Sequence, residues 1–125
     1  MLNSSPLIAF ISTTDIVAAK DFYENVLDLT LTYESPFACV FDAYGTMLRV
    51  TPVHDKEEVN HTVLGWDVDD ITSTIEALME RGVVFERYED LDQDELGIWT
   101  TPNGDGVAWF RDPDSNVLSL TQFAA

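Results

Sequence analysis

Two stretches of the chain carry the same pattern of apolar and polar positions. Residues 6–29 read as a short apolar strand, the pair Asp15-Ile16, then an amphipathic helix; residues 61–84 repeat that plan with Asp70-Ile71 in the same place. Ile8 stands to Asp15 as Val63 stands to Asp70, the second copy 55 residues after the first. A repeated supersecondary plan restricts the fold more than any single segment can. In the first predicted helix Ile16, Ala19, Phe22, Tyr23, Val26 and Leu27 fall on one face at three- and four-residue spacing, and in the second Ile71, Ile75, Leu78 and Met79 do so. Asp15 can cap the first helix, and Asp69 or Asp70 the second, by accepting from amides at the helix start. Gly82 after Arg81 suits the left-handed residue that ends a helix.

Strand-like segments follow each helix, with no second strong helix. In the first half they fall at about 30–34, 37–43 and 46–53, after an opening strand at about 7–12, and Tyr44-Gly45 turns between the last two. In the second half the opening strand is at about 62–68. Segments at 84–88, 98–101, 107–111 and 117–122 follow, one more than the plan needs. Residues 102–106 and 112–116 are turns, 54–60 a polar connection, and 89–95 an acidic solvated loop. The prediction is an α+β chain forming one domain over residues 1–125, built from two tandem βαβββ modules at about 6–55 and 60–124. Strand parity sorts the side chains: Leu64, Trp66 and Val68 share one face of their strand, Val63, Gly65 and Asp67 the other. The bulky face belongs under the helix, which makes Trp66 core. By the same logic Leu7, Ala9 and Ile11 lie under the first helix, with Ile8, Phe10 and Ser12 opposite.

Composition narrows the function classes. At 125 residues and 46% hydrophobic content the chain can bury a core as a soluble globular protein. No stretch approaches the roughly 18 apolar residues of a membrane span. The N-terminus lacks a basic region and a small-residue cleavage site, so a cytoplasmic protein is expected. The lone Cys39, in the apolar run 37–41, reads as a buried, inert thiol. Against 23 acidic residues stand six basic ones, a net charge of −17, which repels phosphate backbones and anionic lipid alike and argues against nucleic-acid and membrane partners. Adaptation to a salty cytoplasm and mere acidity are equally good readings of that charge.

The motifs, in order, are Asp15-Ile16, Asp21-Phe22-Tyr23, Val26-Leu27-Asp28-Leu29, Trp66-Asp67-Val68-Asp69-Asp70-Ile71, Arg81-Gly82-Val83 and Phe110-Arg111-Asp112-Pro113-Asp114-Ser115-Asn116-Val117-Leu118. Each is weak alone. Together they resemble the vicinal oxygen chelate superfamily, the glyoxalase/bleomycin-resistance/extradiol-dioxygenase group, over nearly the whole chain. The last motif is close to that family's F-x-D-P-D-G-N hairpin, with Ser115 where Gly is usual. The resemblance implies two βαβββ modules side by side, their sheets curving around a cleft, and a homodimer.

Metal-dependent members place four ligands in the cleft, His or Gln and Glu, one on each of four strands. Carried onto this chain, the four positions are Ile8, Arg49, Val63 and Ser119. Apolar side chains offer no lone pair and Arg49 repels a cation, so the resemblance implies that the family metal site is absent, with no metal or other cofactor. His54 and His61 are the only histidines. With Asp55 or Glu57 they could hold a metal at the rim, if the strand of Val63 extends back to His61. The plainer reading is two solvated histidines in a polar linker.

Arg49 could clamp a carboxylate or phosphate of a small ligand, or form an internal ion pair with Asp67 or Glu34. Thr51 shares its parity, as Thr121 and Val117 share that of Ser119. Phe10, Trp99 and Trp109 offer aromatic surface for a flat ligand, or are core. The candidate ligand-binding set is Phe10, Arg49, Thr51, Val63, Asp67, Trp99, Trp109 and Ser119; no catalytic residue is identified, Asp67 being the best placed general base. The expected function is a metal-free, bleomycin-resistance-like protein binding a small organic molecule, anionic or aromatic. The alternative is a metal-dependent lyase, isomerase or dioxygenase of the same superfamily. A purely structural interaction partner suits a fold built around a cleft less well.

Overall fold

In the computed structural model, which describes residues Met1–Ala125, strand β1 (Ile8–Thr13) opens the first of two units, Met1–Glu57. Helix α1 (Ile16–Asp21) follows, then β2 (Thr30–Ser35), β3 (Ala38–Ala43) and β4 (Thr46–Pro52). The sheet runs β1-β4-β3-β2, with β1 parallel to β4 and the other pairs antiparallel. Asp15 caps α1 as predicted, its Oδ1 accepting from the Ala18 amide at 3.1 Å. Thr13 locks the strand–helix corner, its Oγ1 accepting from the Asp15 amide and donating to the Asp15 carbonyl.

The first helix is not one regular α-helix. A π-helical turn over Phe22–Val26 follows α1 directly, and the Leu27 amide reaches back to the Phe22 carbonyl at 3.0 Å. The wider turn brings the adjacent Phe22 and Tyr23 both into the core, edge to face at 5.2 Å, with Tyr23 also against Phe41 at 6.0 Å. Ile11, Cys39, Leu48 and Val50 complete that core, so Cys39 is buried. Tyr44 and Gly45 both have positive φ, 50° and 92°, the backbone of a two-residue hairpin turn, and Asp42 accepts from the Gly45 amide.

The second unit, Glu58–Ala125, repeats the plan: β5 (Thr62–Asp67), α2 (Ile71–Glu80), β6 (Trp99–Thr100), β7 (Gly106–Arg111) and β8 (Val117–Gln122), in the order β5-β8-β7-β6 with β5 parallel to β8. The molecule is therefore an α+β fold of two βαβββ modules, each with its own mixed four-stranded sheet. Between the two sequence candidates, Asp70 is the cap of α2, accepting from Ser73 at 3.1 Å. Gly82, at φ 92°, ends the helix as expected. Ile71, Ile75 and Leu78 of α2 are buried, as are Ala108, Phe110, Leu118 and Leu120 of the sheet.

Several expectations are corrected. Residues 84–88 form no strand: the segment touches β7 through one backbone bond, Glu86 amide to Trp109 carbonyl at 2.8 Å, and packs Phe85 on Phe110. This is the surplus segment of the sequence reading. The 89–95 stretch is not simply solvated. Gln93 accepts from the Tyr88 amide and donates to the Glu86 and Gly97 carbonyls, and the Arg87 guanidinium holds the Asp94 and Glu95 carbonyls. Leu7 precedes the first paired residue of β1 and is exposed rather than under the helix; Phe37 sits in the β2–β3 turn and Met79 on the outer side of α2, both exposed. No helix is long and apolar enough to cross a membrane.

Candidate functional site

Strand register decides which side chains stand together on the face of the first sheet away from α1. Phe10 of β1 is opposite Arg49 of β4, Arg49 is opposite Val40 of β3, and Val40 is opposite Tyr33 of β2. These four form one row across all four strands. Phe10 is 62% exposed and Tyr33 58%, while Val40 is buried. Arg49 is half-buried, and no hydrogen bond, ion pair or ring contact engages its guanidinium. The alternative ion pair with Glu34 is not formed, because Glu34 is taken by Lys20 at 3.2 Å. The neighbouring rows are Ile8 with Met47 and Asp42, and Ser12 with Thr51. Thr51 spends its hydroxyl on the Ile11 carbonyl, a weak contact at 3.5 Å. Asp42, on the same face, accepts from the Gly45 amide of its own turn.

The corresponding face of the second sheet is aromatic. Trp99 stacks on Trp109 with centroids 6.3 Å apart, and Tyr88 meets Trp109 edge to face at 5.5 Å. Burial raises the Tyr88 phenol above its ordinary range, and the Glu86 carboxylate adds to the shift. The Trp109 indole donates to Thr62 Oγ1 at 3.2 Å. Thr62 was not anticipated here. The register of β5 on β8 shifts between Thr62 and Leu64, so Thr62 is opposite Val117 and turns to the face of Trp109, leaving Val63 as the extra residue. A bulge leaves no mark in a hydrophobic pattern. Strict alternation from Leu64 would put Thr62 under the helix. The same shift removes the parity argument that aligned His61 with Val63, and His61 lies outside the strand.

Ser119 of β8 pairs with both Gly65 and Trp109. Its side chain lies over Gly65, where an added Cβ would come within 2.8 Å of Oγ, and the residue is only 8% exposed. Arg111, at the end of β7, binds Glu86 through Nε at 2.6 Å and the Val59 and Ser115 carbonyls through Nη1. The Glu86 hydrogen bond raises the Arg111 pKa further. The Arg111 guanidinium thus ties the 84–88 segment, through Glu86, and the 112–116 turn, through the Ser115 carbonyl, to the sheet. Asp67 stands at the other end of β5, opposite Thr121, with its carboxylate exposed and unpaired. It borders a cavity of about 460 Å³ with Asp69, Thr100, Gln122 and Phe123, apart from Ser119 and Trp109.

The structure thus distributes the sequence-predicted residues. Phe10 and Arg49 are neighbours, with Thr51 one row away; Trp99 and Trp109 are stacked; Val63 is a bulge; Ser119 lies over Gly65 of the neighbouring strand; Asp67 borders a cavity that the others do not line. Tyr33 and Thr62 are additions that only pairing across strands reveals, and Tyr88 is one that its ring contact with Trp109 reveals. Ile8, Arg49, Val63 and Ser119 sit on β1, β4, β5 and β8, one per strand. They bring two aliphatic groups, a guanidinium and a buried hydroxyl to these positions. His54 and His61 are both exposed, and no group of three or more His, Cys, Asp or Glu side chains is placed to hold a metal ion.

Comparison with solved structures places the architecture. A glyoxalase/bleomycin resistance protein/dioxygenase superfamily member from Sphaerobacter thermophilus is 22% identical, with TM-score 0.75 and coverage of 98% of this chain and 99% of that one. A lactoylglutathione lyase from Agrobacterium tumefaciens is 16% identical, with TM-score 0.73 and coverage of 95% and 93%. A glyoxalase/bleomycin resistance protein/dioxygenase from Alicyclobacillus acidocaldarius is 19% identical, with TM-score 0.72 and coverage of 98% and 93%. At these identities the likeness is one of fold. No curated protein matches the chain. The profile of the Glyoxalase/Bleomycin resistance protein/Dioxygenase superfamily matches residues 7–120, nearly the full length, and the chain belongs to that superfamily.

Proposed function

We propose that this protein binds a small organic anion and does so without a metal ion at the superfamily's ligand positions. The observation that carries the reading is the residue at the second of those positions. Arg49 replaces an oxygen or nitrogen donor with a fixed positive fork on an open sheet face, and nothing within the protein neutralises it. A guanidinium left free beside an exposed phenyl ring is a ready receptor for a carboxylate or phosphate, since charge-assisted paired hydrogen bonds are the strong ones. Lyase, isomerase and dioxygenase chemistry of the superfamily's metal-dependent kind asks for an ion that polarises oxygen. Ile8, Val63 and Ser119 give it no support here. The protein is therefore read as a sequestering, carrier or sensor protein of cytoplasmic type, working as a homodimer.

The test is elemental analysis of untagged protein after incubation with Ni²⁺, Zn²⁺, Mn²⁺ or Fe²⁺ and desalting. Less than about a tenth of an equivalent retained is the expected outcome. Near-stoichiometric retention would return the metal-dependent chemistry to first place, with His54 and His61 as the ligands to mutate next.

A further inference from the structure

We infer that the ligand class is an aromatic monocarboxylate, held on the first sheet with its carboxylate on Arg49 and its ring against Phe10. This deepens the reading just given and rests on it. The row Phe10–Arg49–Val40–Tyr33 sets the chemistry. Adjacent strands are about 4.8 Å apart, so each member of the row stands about that far from the next. A carboxylate seated on the guanidinium fork brings an attached ring within reach of the Phe10 phenyl on one side. Val40 and the Tyr33 ring lie on the other. Phe10 is 62% exposed and Tyr33 58%, so both rings have faces free to cover a planar guest. Offset or edge-to-face contact between rings adds to simple burial, which a saturated ring of the same size cannot reproduce.

Charge selects the acid. Of the six basic residues, Lys20 is paired with Glu34 and Arg111 with Glu86. Arg87 holds carbonyls of its own loop, Lys56 donates to the Glu57 carbonyl, and Arg81 is engaged at the end of α2. Arg49 alone makes neither a hydrogen bond nor an ion pair, inside a molecule of net charge −17. One guanidinium can balance one negative charge. A second charge on the ligand, as on a phosphate monoester, would meet only the repulsive field of the protein. The planar fork also matches a planar carboxylate through two parallel hydrogen bonds.

Calorimetric titration of the untagged protein with 2-naphthoate, decahydronaphthalene-2-carboxylate, 2-naphthamide and phenyl phosphate tests this, with Phe10→Ala, Arg49→Ala and Arg49→Lys beside wild type. Circular dichroism confirms that each variant is folded, as expected for changes on an open sheet face. The expected result is that 2-naphthoate binds about tenfold or more tightly than each of the other three compounds. Its affinity should fall about 10- to 100-fold in Arg49→Ala, the scale of lost hydrogen bonds to a charged group, with Arg49→Lys between. Phe10→Ala should weaken 2-naphthoate several-fold and decahydronaphthalene-2-carboxylate clearly less. If the saturated acid or phenyl phosphate binds as well and Arg49→Ala still abolishes binding, the ligand class is wrong and the anion-binding reading stands. If 2-naphthoate binds equally to Arg49→Ala, the assignment to this row is overturned. If no anion binds wild type, the anion-binding reading itself falls.

Discussion

Ser115 carries the sharpest local conflict between sequence and backbone. It occupies the glycine position of the 112–116 turn with φ 63°, a left-handed conformation that costs an L-residue about 1–2 kcal/mol. The turn holds it there. Asp112 Oδ1 accepts from the Asp114 and Asn116 amides, Asn116 Nδ2 donates to the other carboxylate oxygen, and Arg111 binds the Ser115 carbonyl. None of these contacts uses the Ser115 side chain. Ser115→Gly should therefore stabilise the protein by about 0.5–1 kcal/mol, the relief less the extra chain entropy of glycine. Urea unfolding measures it; a loss of stability would show that the hydroxyl has a role in the turn. The sequence exposed the turn clearly through Asp112-Pro113-Asp114, but not the strain at its tip.

At the scale of elements, the decisive contacts run between strands. Gly65 and Ser119 are partners on β5 and β8, and the serine hydroxyl fills the space a Cβ at Gly65 would need. Gly65→Ala should destabilise by about 1–3 kcal/mol, the cost of forcing a group into a packed site. Ser119→Ala removes the atom it strikes, so the double variant should recover much of that loss, a non-additivity of about 1 kcal/mol or more in a double-mutant cycle. Strict additivity would mean that the sheet relaxes around the new methyl. The bulge at Val63 belongs to the same scale. It moves Thr62 to the Trp109 indole and separates the His61 position from the strand's alternation. Alternation along one strand cannot report an extra residue, because the bulge exists only relative to a partner.

For the whole molecule, charge sets the response to solvent. With 23 acidic and six basic residues the folded state repels itself. Raising NaCl from about 10 to about 150 mM shortens the screening length from about 30 to about 8 Å, and the thermal midpoint should rise with it. A midpoint independent of salt would mean that the acidic residues are spaced too widely to interact. Alkali should act the other way. Burial holds the Cys39 thiol and the Tyr88 phenol protonated beyond their ordinary values of 9.0 and 10.0, and the Glu34 hydrogen bond raises the Lys20 ammonium in the same direction. In this range the folded state binds more protons than the unfolded chain. The stabilisation is complete below about pH 9 and is lost as pH climbs through the raised values. Cys39→Ala should flatten the earliest part of that decline.

The repeat at Asp15 and Asp70, the two helix caps, the Tyr44-Gly45 hairpin and the βαβββ order were all legible in the chain, because each depends on neighbours in sequence. The identities of Ile8, Arg49, Val63 and Ser119 are likewise read directly from the chain, since a residue's side-chain type does not depend on the fold. The tertiary structure decided the rest. It left Arg49 unpaired between Phe10 and Val40, buried Ser119 over Gly65, stacked Trp99 on Trp109, and set Asp67 beside a cavity that neither Ser119 nor Trp109 lines. Those outcomes depend on register between strands far apart in the chain, and a single residue of slip or bulge exchanges one face for the other.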